Sequence, residues 1–313
     1  MDWKMPTLVG GVLTILAAAT AAGQILKRQP DAGLNSAAVQ TFNLRMRAWW
    51  LMCSLLAAAM LLGNTATVIL FGLISFWALR EFITLTPTRL GDHRALFWVF
   101  FAFTPAQFVM VGLQYYEVYS VLIPVYAFLF ILARVAFSGD YKRFLERTAK
   151  IQAGLLICVY CLSHAPALMY LPAKRPDPGA GARLLFFFVL IVQLGDAMQY
   201  LAGKLFGRRV IAPTISPNKT WEGLLGGVGA TTLLGTALYW ATPFQVWQAA
   251  IMSLVITLMG FAGSITMSAI KRDRGVKDYG TLVEGHSGVL DRIDSICFAA
   301  PVCYHLSRLF LMS

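Results

Sequence analysis

The side chains able to do chemistry concentrate in two stretches of the last 120 residues. In the first, Gly195-Asp196 lies inside an apolar run and is followed by Lys204 and then by Ser216-Pro217-Asn218-Lys219-Thr220-Trp221-Glu222-Gly223. Asp196 is about eight residues from the polar end of its run, a depth of about 12 Å at 1.5 Å per helical residue. An acid at that depth is costly unless paired, hydrated or bound to a cation, so it reads as functional, although an Asp paired with Arg or Lys for helix packing fits the same position. Residues 216–222 have the grammar of a helix start, with Ser or Thr as cap and an acid in the first turn. Free backbone N–H groups there, with Lys219 beside them, would suit a phosphate; an ordinary capped interfacial helix with Trp221 in the aromatic belt fits equally.

The second stretch, from Lys271 to Asp294, packs ten Asp, Glu, Lys and Arg residues into 24 positions. Asp291 and Asp294 are three apart and so share one face at a helix start. Like charges that close repel, and a divalent cation is the usual remedy. Magnesium suits oxygen ligands that leave positions for water and substrate phosphates, whereas His286 alone cannot make a zinc site. Gly285 and Gly288 around His286 suggest a turn in which backbone approaches a ligand. A solvated charged loop is the plainer alternative. Carboxylates for a metal, cations for phosphate and a location at lipid level together suggest phosphoryl or nucleotidyl transfer on a lipid.

The elements that position these groups must be membrane helices. The 313 residues are 58% hydrophobic and 13% charged, with a mean hydropathy of +0.65, where soluble domains carry about a quarter charged residues. That composition excludes a cytosolic enzyme. The net charge of +11 reports loops near anionic lipid rather than nucleic acid, and leaves anionic substrates open. Five cysteines, Cys53, Cys158, Cys161, Cys297 and Cys303, all in apolar runs, make neither a disulfide framework nor a zinc site, and Cys158-x-x-Cys161 reads as lipid-facing or packing.

Ten apolar spans are expected, at 7–26, 48–62, 65–79, 95–114, 118–137, 151–171, 184–203, 221–241, 246–270 and 295–311, in an all-α polytopic protein. Merging the second and third across Gly63-Asn64 would give nine. With ten, the loops at 27–47, 80–94, 134–150, 204–219 and 271–292 share a side and hold 4, 3, 5, 4 and 5 Lys and Arg, 21 in all, against five on the other side. The positive-inside rule then puts those loops in the cytoplasm and both termini outside, which favours a hairpin at Gly63. Residues 1–23 resemble a secretory signal, but Lys27-Arg28 behind the apolar stretch favours a retained helix. The segment 172–183, with Pro172, Pro176, Pro178, Gly179 and Gly181, reads as a linker between an N-terminal scaffold (1–180) and a C-terminal catalytic half (181–313) with cytoplasmic loops 204–220 and 271–292.

Ser268-x-Ile270-Lys271-Arg272, then Lys277-Asp278, then Gly285-His286-Ser287-Gly288-Val289-Leu290-Asp291-Arg292-Ile293-Asp294 resembles the signature of the phosphatidate cytidylyltransferases (CDP-diacylglycerol synthases). The Asp196 stretch and Ser216-Pro217-Asn218-Lys219-Thr220-Trp221-Glu222-Gly223 resemble that family's other shared segment. The likeness covers residues 184–304; upstream it consists only in being polytopic. It implies CMP transfer from CTP to phosphatidate with Mg²⁺, giving CDP-diacylglycerol and pyrophosphate, at the cytoplasmic face of a bacterial-type plasma membrane. It also implies site residues: Asp196, Lys277 and Asp278 as catalytic, Asp291, Asp294 and Asp278 on the metal, and Ser216 (also a helix cap), Lys219, Glu222, Lys271, Arg272, His286 and Arg292 on the substrates. A homodimer is compatible with it.

The chain departs from the family pattern in two places. Where the family has Gly-Asp-Leu-x-Glu-Ser, this chain reads Gly263-Ser264-Ile265-Thr266-Met267-Ser268, so one expected acid is Ser264 and another Met267. Pro-Gly-His-Gly-Gly becomes Glu284-Gly285-His286-Ser287-Gly288, which would let Glu284 substitute for the lost charge from about twenty residues away along the chain. A divergent branch is implied, with a different lipid acceptor or nucleotide an open alternative. Other functions that fit are a CTP-dependent lipid kinase of the polyprenol or phytol type, an inactive lipid-binding paralogue, and a transporter with a buried Asp196.

Overall fold

The computed structural model describes residues 4–28, 36–85, 88–171, 179–280 and 288–312. Every apolar run is helical, because in lipid a helix satisfies its own backbone. The order is α1 (Lys4–Arg28), α2 (Ser36–Leu62), α3 (Asn64–Leu85), α4 (Leu90–Gly112), α5 (Tyr116–Ala136), α6 (Phe144–Tyr170), α7 (Ala180–Phe206), a hairpin of β1 (Val210–Ala212) and β2 (Ser216–Thr220), α8 (Trp221–Ala237), α9 (Val246–Asp273) and α10 (Leu290–Met312). These helices stand where the ten apolar runs were read. Among the described residues, seven of them (α3 to α7, α9 and α10) are long and apolar enough to cross a membrane; the apolar stretches Lys4–Ala18 and Trp49–Leu62 are shorter, and α8 has 17 residues.

Gly63 separates α2 from α3 with φ +105°, a left-handed conformation that ends a helix and suits glycine. Trp49 and Met52 of α2 line one cavity together with Leu70 and Ile74 of α3. In one straight helix Trp49 and Ile74 would stand about 37 Å apart, so the chain turns back at Gly63. The expected linker is revised in its second part, while 172–178 lies outside the described residues. Residues 180–183 already belong to α7, and Arg183, fully buried, donates from Nε to the Ala241 carbonyl at 3.0 Å.

α7 packs on α8, α8 on α9 and α9 on α10, while α10 also packs on α6 and α3. A single hydrophobic core runs from Val68 to Leu311. Cys158 is buried in it, Cys161 is half-buried, and all five cysteines are free.

At the polar end of α4 and α6, Arg147 (4% exposed) donates from Nε to both carboxylate oxygens of Asp92 (0% exposed) at 3.0 and 3.1 Å. Its Nη1 donates to the carbonyls of Asp140 and Lys142. Arg89 pairs with Asp140 at the rim. Asp92→Asn, which takes away the buried carboxylate of Arg147 and leaves it only Asp140 at the rim, is expected to cost about 3 kcal/mol, whereas Arg89→Ala, half-exposed, costs at most about 1 kcal/mol; thermal unfolding of the two variants in one detergent checks the order.

Candidate active site

Three local structures bring the chemistry together. The first is the hairpin between α7 and α8, where β1 and β2 pair antiparallel, Val210 opposite Thr220 and Ala212 opposite Ser216. Ser216 therefore lies in a strand and does not cap α8, which corrects that expectation. Thr220 is the cap: its Oγ1 accepts from the Gly223 N–H at 3.1 Å. Glu222, in the first turn, accepts from the backbone N–H groups of Arg208 (3.0 Å) and Arg209 (3.1 Å). The start of α8 thus ties down its own loop, with a Thr cap and a Glu in the turn. Arg272 joins the hairpin to the end of α9, donating from Nε to the Ile215 carbonyl at 3.2 Å.

The second is the start of α10. Asp291 Oδ1 accepts from Lys271 Nζ at 2.7 Å, and Oδ2 accepts from the backbone N–H groups of Tyr279 (2.8 Å) and Gly288 (2.9 Å). Both oxygens of Asp291 are engaged, tying Lys271, Tyr279 and Gly288 to the start of α10. Lys271 also lies 5.4 Å from the Tyr279 ring centroid. The Tyr279 hydroxyl donates to the Met267 carbonyl at 2.9 Å, and burial pushes its ionisation up.

The third is a pair of acids from different helices. Asp294 is buried, its Oδ1 accepting from Ser295 N at 2.7 Å. Asp196 of α7 meets the Ser295 hydroxyl and lies close enough for its charge to act on Asp294. Lys219, from β2, faces both acids and lies 4.7 Å from the Phe261 ring centroid. Burial holds the Lys219 ammonium below the usual lysine range, and proximity to Lys271 adds to this, while Asp196 and Asp294 act against it.

Asp196, Lys219, Lys271, Asp291 and Asp294 therefore come together as the sequence suggested, with a division of labour it did not show. Lys277 and Asp278 are exposed on the turn after α9. His286 and Glu284 lie outside the described residues. Arg292 is on the other side of α10, about 200° from Asp294 at 100° per residue, and lines with Gln193 an otherwise apolar cavity between α2, α3, α7 and α10. Ser264 is half-buried on α9 and Met267 is fully buried.

Among the described residues no group of three or more His, Cys, Asp or Glu is arranged to hold a metal. Mg²⁺ commonly takes one or two carboxylates and leaves its other positions to water and phosphate. Asp196 and Asp294, which meet at the Ser295 hydroxyl, fit that need; Asp291, already engaged by Lys271 and two N–H groups, does not.

Three residues in this arrangement carry no signal in the chemistry-bearing stretches. The Ser295 hydroxyl, with one proton to donate, lies within reach of both acids. Tyr279 lends the N–H that anchors Asp291. Glu81 of α3, only 5% exposed, accepts from Val289 N (3.0 Å) and Leu290 N (2.8 Å). The only hint of Glu81 was an acid beside an apolar run.

The chain is 38% identical over 270 residues to an uncharacterized protein, YnbB, of Escherichia coli K12, covering 85% of this chain and 87% of that one. It is 36% identical over 155 residues to a phosphatidate cytidylyltransferase of Mycobacterium leprae, covering 48% of this chain and 49% of the relative. A Staphylococcus aureus phosphatidate cytidylyltransferase is 39% identical over 124 residues, 39% of this chain and 48% of its own length. The match thus spans about half of each relative that carries an activity in its name. Residues 43–310 match the cytidylyltransferase family as a whole, and with a multi-pass helical body the chain belongs to that family.

Proposed function

We propose that this protein is a membrane cytidylyltransferase that moves CMP from CTP to the phosphate of a phospholipid, phosphatidate being the first candidate. The observation that carries the reading is the approach of half-buried Asp196 and buried Asp294 to the Ser295 hydroxyl, with Lys219 near both and Lys271 on the neighbouring Asp291. Two acids without enough counter-charge of their own, next to cations at the ends of membrane helices, suit a nucleotide's phosphates and a metal. The distribution of 21 Lys and Arg against five supports a cytoplasmic position for these loops, with ten spans and both termini outside.

In the reaction an oxygen of the lipid phosphate attacks the α-phosphorus of CTP in line. The bond from that phosphorus to the bridging oxygen of the β-phosphate breaks, and pyrophosphate leaves with the electron pair. No strong base is needed, since a phosphate monoester with a second pKa of about 6 is already ionised at neutral pH. Asp196 and Asp294 would hold Mg²⁺, which when bound supplies charge neutralisation at the phosphoryl oxygens. Lys219 would carry the nucleotide's phosphates, where a fixed cation outside bulk water gains strength. Arg272, bound to the hairpin carbonyl, keeps Lys219 in register with α9.

The direct test is purified protein in detergent with labelled CTP, phosphatidate and Mg²⁺. Pyrophosphate and a CMP-bearing lipid are expected; CDP with a newly phosphorylated lipid would make the protein a lipid kinase instead. Asp294→Asn is expected to lower kcat by about a hundredfold or more, as loss of charge stabilisation at a phosphoryl centre does. Unchanged turnover in Asp294→Asn and in Asp196→Asn would refute the metal assignment. Lys219→Ala should raise the Michaelis constant for CTP by about 10- to 100-fold, the loss of one charge-assisted contact of about 1.5–3 kcal/mol; a wild-type constant in that variant counts against the role of Lys219.

A further inference from the structure

We propose that Glu81 is a positioning residue, the clamp by which the N-terminal helices set the place of the start of α10 and hence of Asp291 and Asp294. The inference rests on the proposed transfer reaction for its consequence and on geometry for its substance. Glu81 lies near the end of α3, 5% exposed, more than 200 residues before the site in the chain. Its Oε1 accepts from Val289 N at 3.0 Å and its Oε2 from Leu290 N at 2.8 Å. The first N–H groups of a helix have no partner within it, and a carboxylate there also answers the helix dipole. Here that carboxylate comes from another helix, so the cap is also a cross-link.

The chain is shaped to receive it. A Cβ on Gly280 would stand 2.9 Å from Glu81 Oε1, and one on Gly288 2.5 Å from Oε2. Both ends of the 280–288 segment therefore close around one side chain at a distance only glycine allows. The neighbouring Phe82 stacks on Tyr279, with ring centroids 6.5 Å apart, and it is the Tyr279 N–H that anchors Asp291. Glu81 touches none of the acids. It fixes the two residues immediately before Asp291, and the site inherits its place from that. It also fills the α10 N-terminus, which would otherwise attract a phosphate.

Glutamine has nearly the same shape but puts an NH₂ donor where one backbone N–H now finds an acceptor, so Glu81→Gln breaks one arm of the clamp. Two measurements are made on the full-length protein in detergent: hydrogen exchange of the segment holding Val289 and Leu290, and steady-state kinetics with CTP and phosphatidate. In Glu81→Gln exchange there should be about tenfold faster or more, with α7 unchanged, as a local opening behaves. The kcat should fall about 10- to 100-fold, the scale of a small misplacement of reacting groups, with the Michaelis constant for CTP within twofold of wild type. Glu81→Asp, which keeps the charge on a shorter arm, should recover part of both and replaces the glutamine variant should that one not fold. Unchanged exchange in the variant overturns the clamp. So does a variant with altered thermal stability but full kcat, which would make Glu81 structural only. If the wild type itself makes no CMP-bearing lipid, the transfer reaction falls, and the exchange result judges Glu81 by itself.

Discussion

A carboxylate buried at the end of a membrane helix has to be answered, by a cation, by N–H groups or by a metal, and the arrangement of this protein's functional end follows from how four such groups are answered. Glu81 takes two backbone N–H groups at the start of α10. Asp291 takes a lysine and two N–H groups. Asp294 has a backbone N–H and a serine hydroxyl from its own helix, with Asp196 near by and Lys219 as a shared counter-charge. The first two are satisfied, and satisfied buried charges act as fasteners. The last two are under-compensated, and under-compensated buried charges are where a ligand brings most free energy.

This division separates two acids that look alike in the sequence. Asp291 and Asp294 are three residues apart on one helix, and spacing alone makes them a pair. Their partners are nevertheless set by what each side of α10 meets: Asp291 faces the turn after α9, and Asp294 is within reach of α7 through Ser295. Asp291 draws Lys271 and the backbone of the closing segment together; Asp294 is left to share Lys219 with Asp196. Asp196 and Asp294, 98 positions apart in the chain, are brought to one serine by α7 and α10.

How far the sequence could be read follows from the range of the forces involved. Helix location is a local property of apolar runs and was legible as such, as was the turn at Gly63, where the backbone is left-handed; which helices cross the membrane depends on length as well, and seven of the described ones are long and apolar enough. Asp196, Lys219, Lys271 and Asp294 were legible because charge inside apolar sequence is costly and therefore conspicuous. Glu81 was not: beside Arg80 at the end of an apolar run it looks like the first residues of a loop, and only its backbone partners 208 and 209 positions away reveal it. Residues 216–222 have the pattern of a helix start because Thr220 does cap α8; that 216–220 is a strand depends on pairing with Val210 and Ala212, which no local pattern announces.

The departure at Ser264 takes on a physical meaning in this setting. The α9 backbone at Gly263 lies against Asp294, so close that a Cβ there would stand 2.8 Å from the Asp294 carbonyl oxygen. An acid at the next position would add negative charge to a cluster in which Asp196, Asp291 and Asp294 already outnumber Lys219 and Lys271. A hydroxyl in its place leaves one net negative charge instead of two. A cluster with less negative charge needs less cation to be stable when empty, and it binds a divalent ion with fewer protein ligands, leaving more of the coordination to substrate phosphates. On the proposed reading the substitution would shift the hold on a metal from the protein toward the nucleotide, and it would do so without removing Asp196 or Asp294.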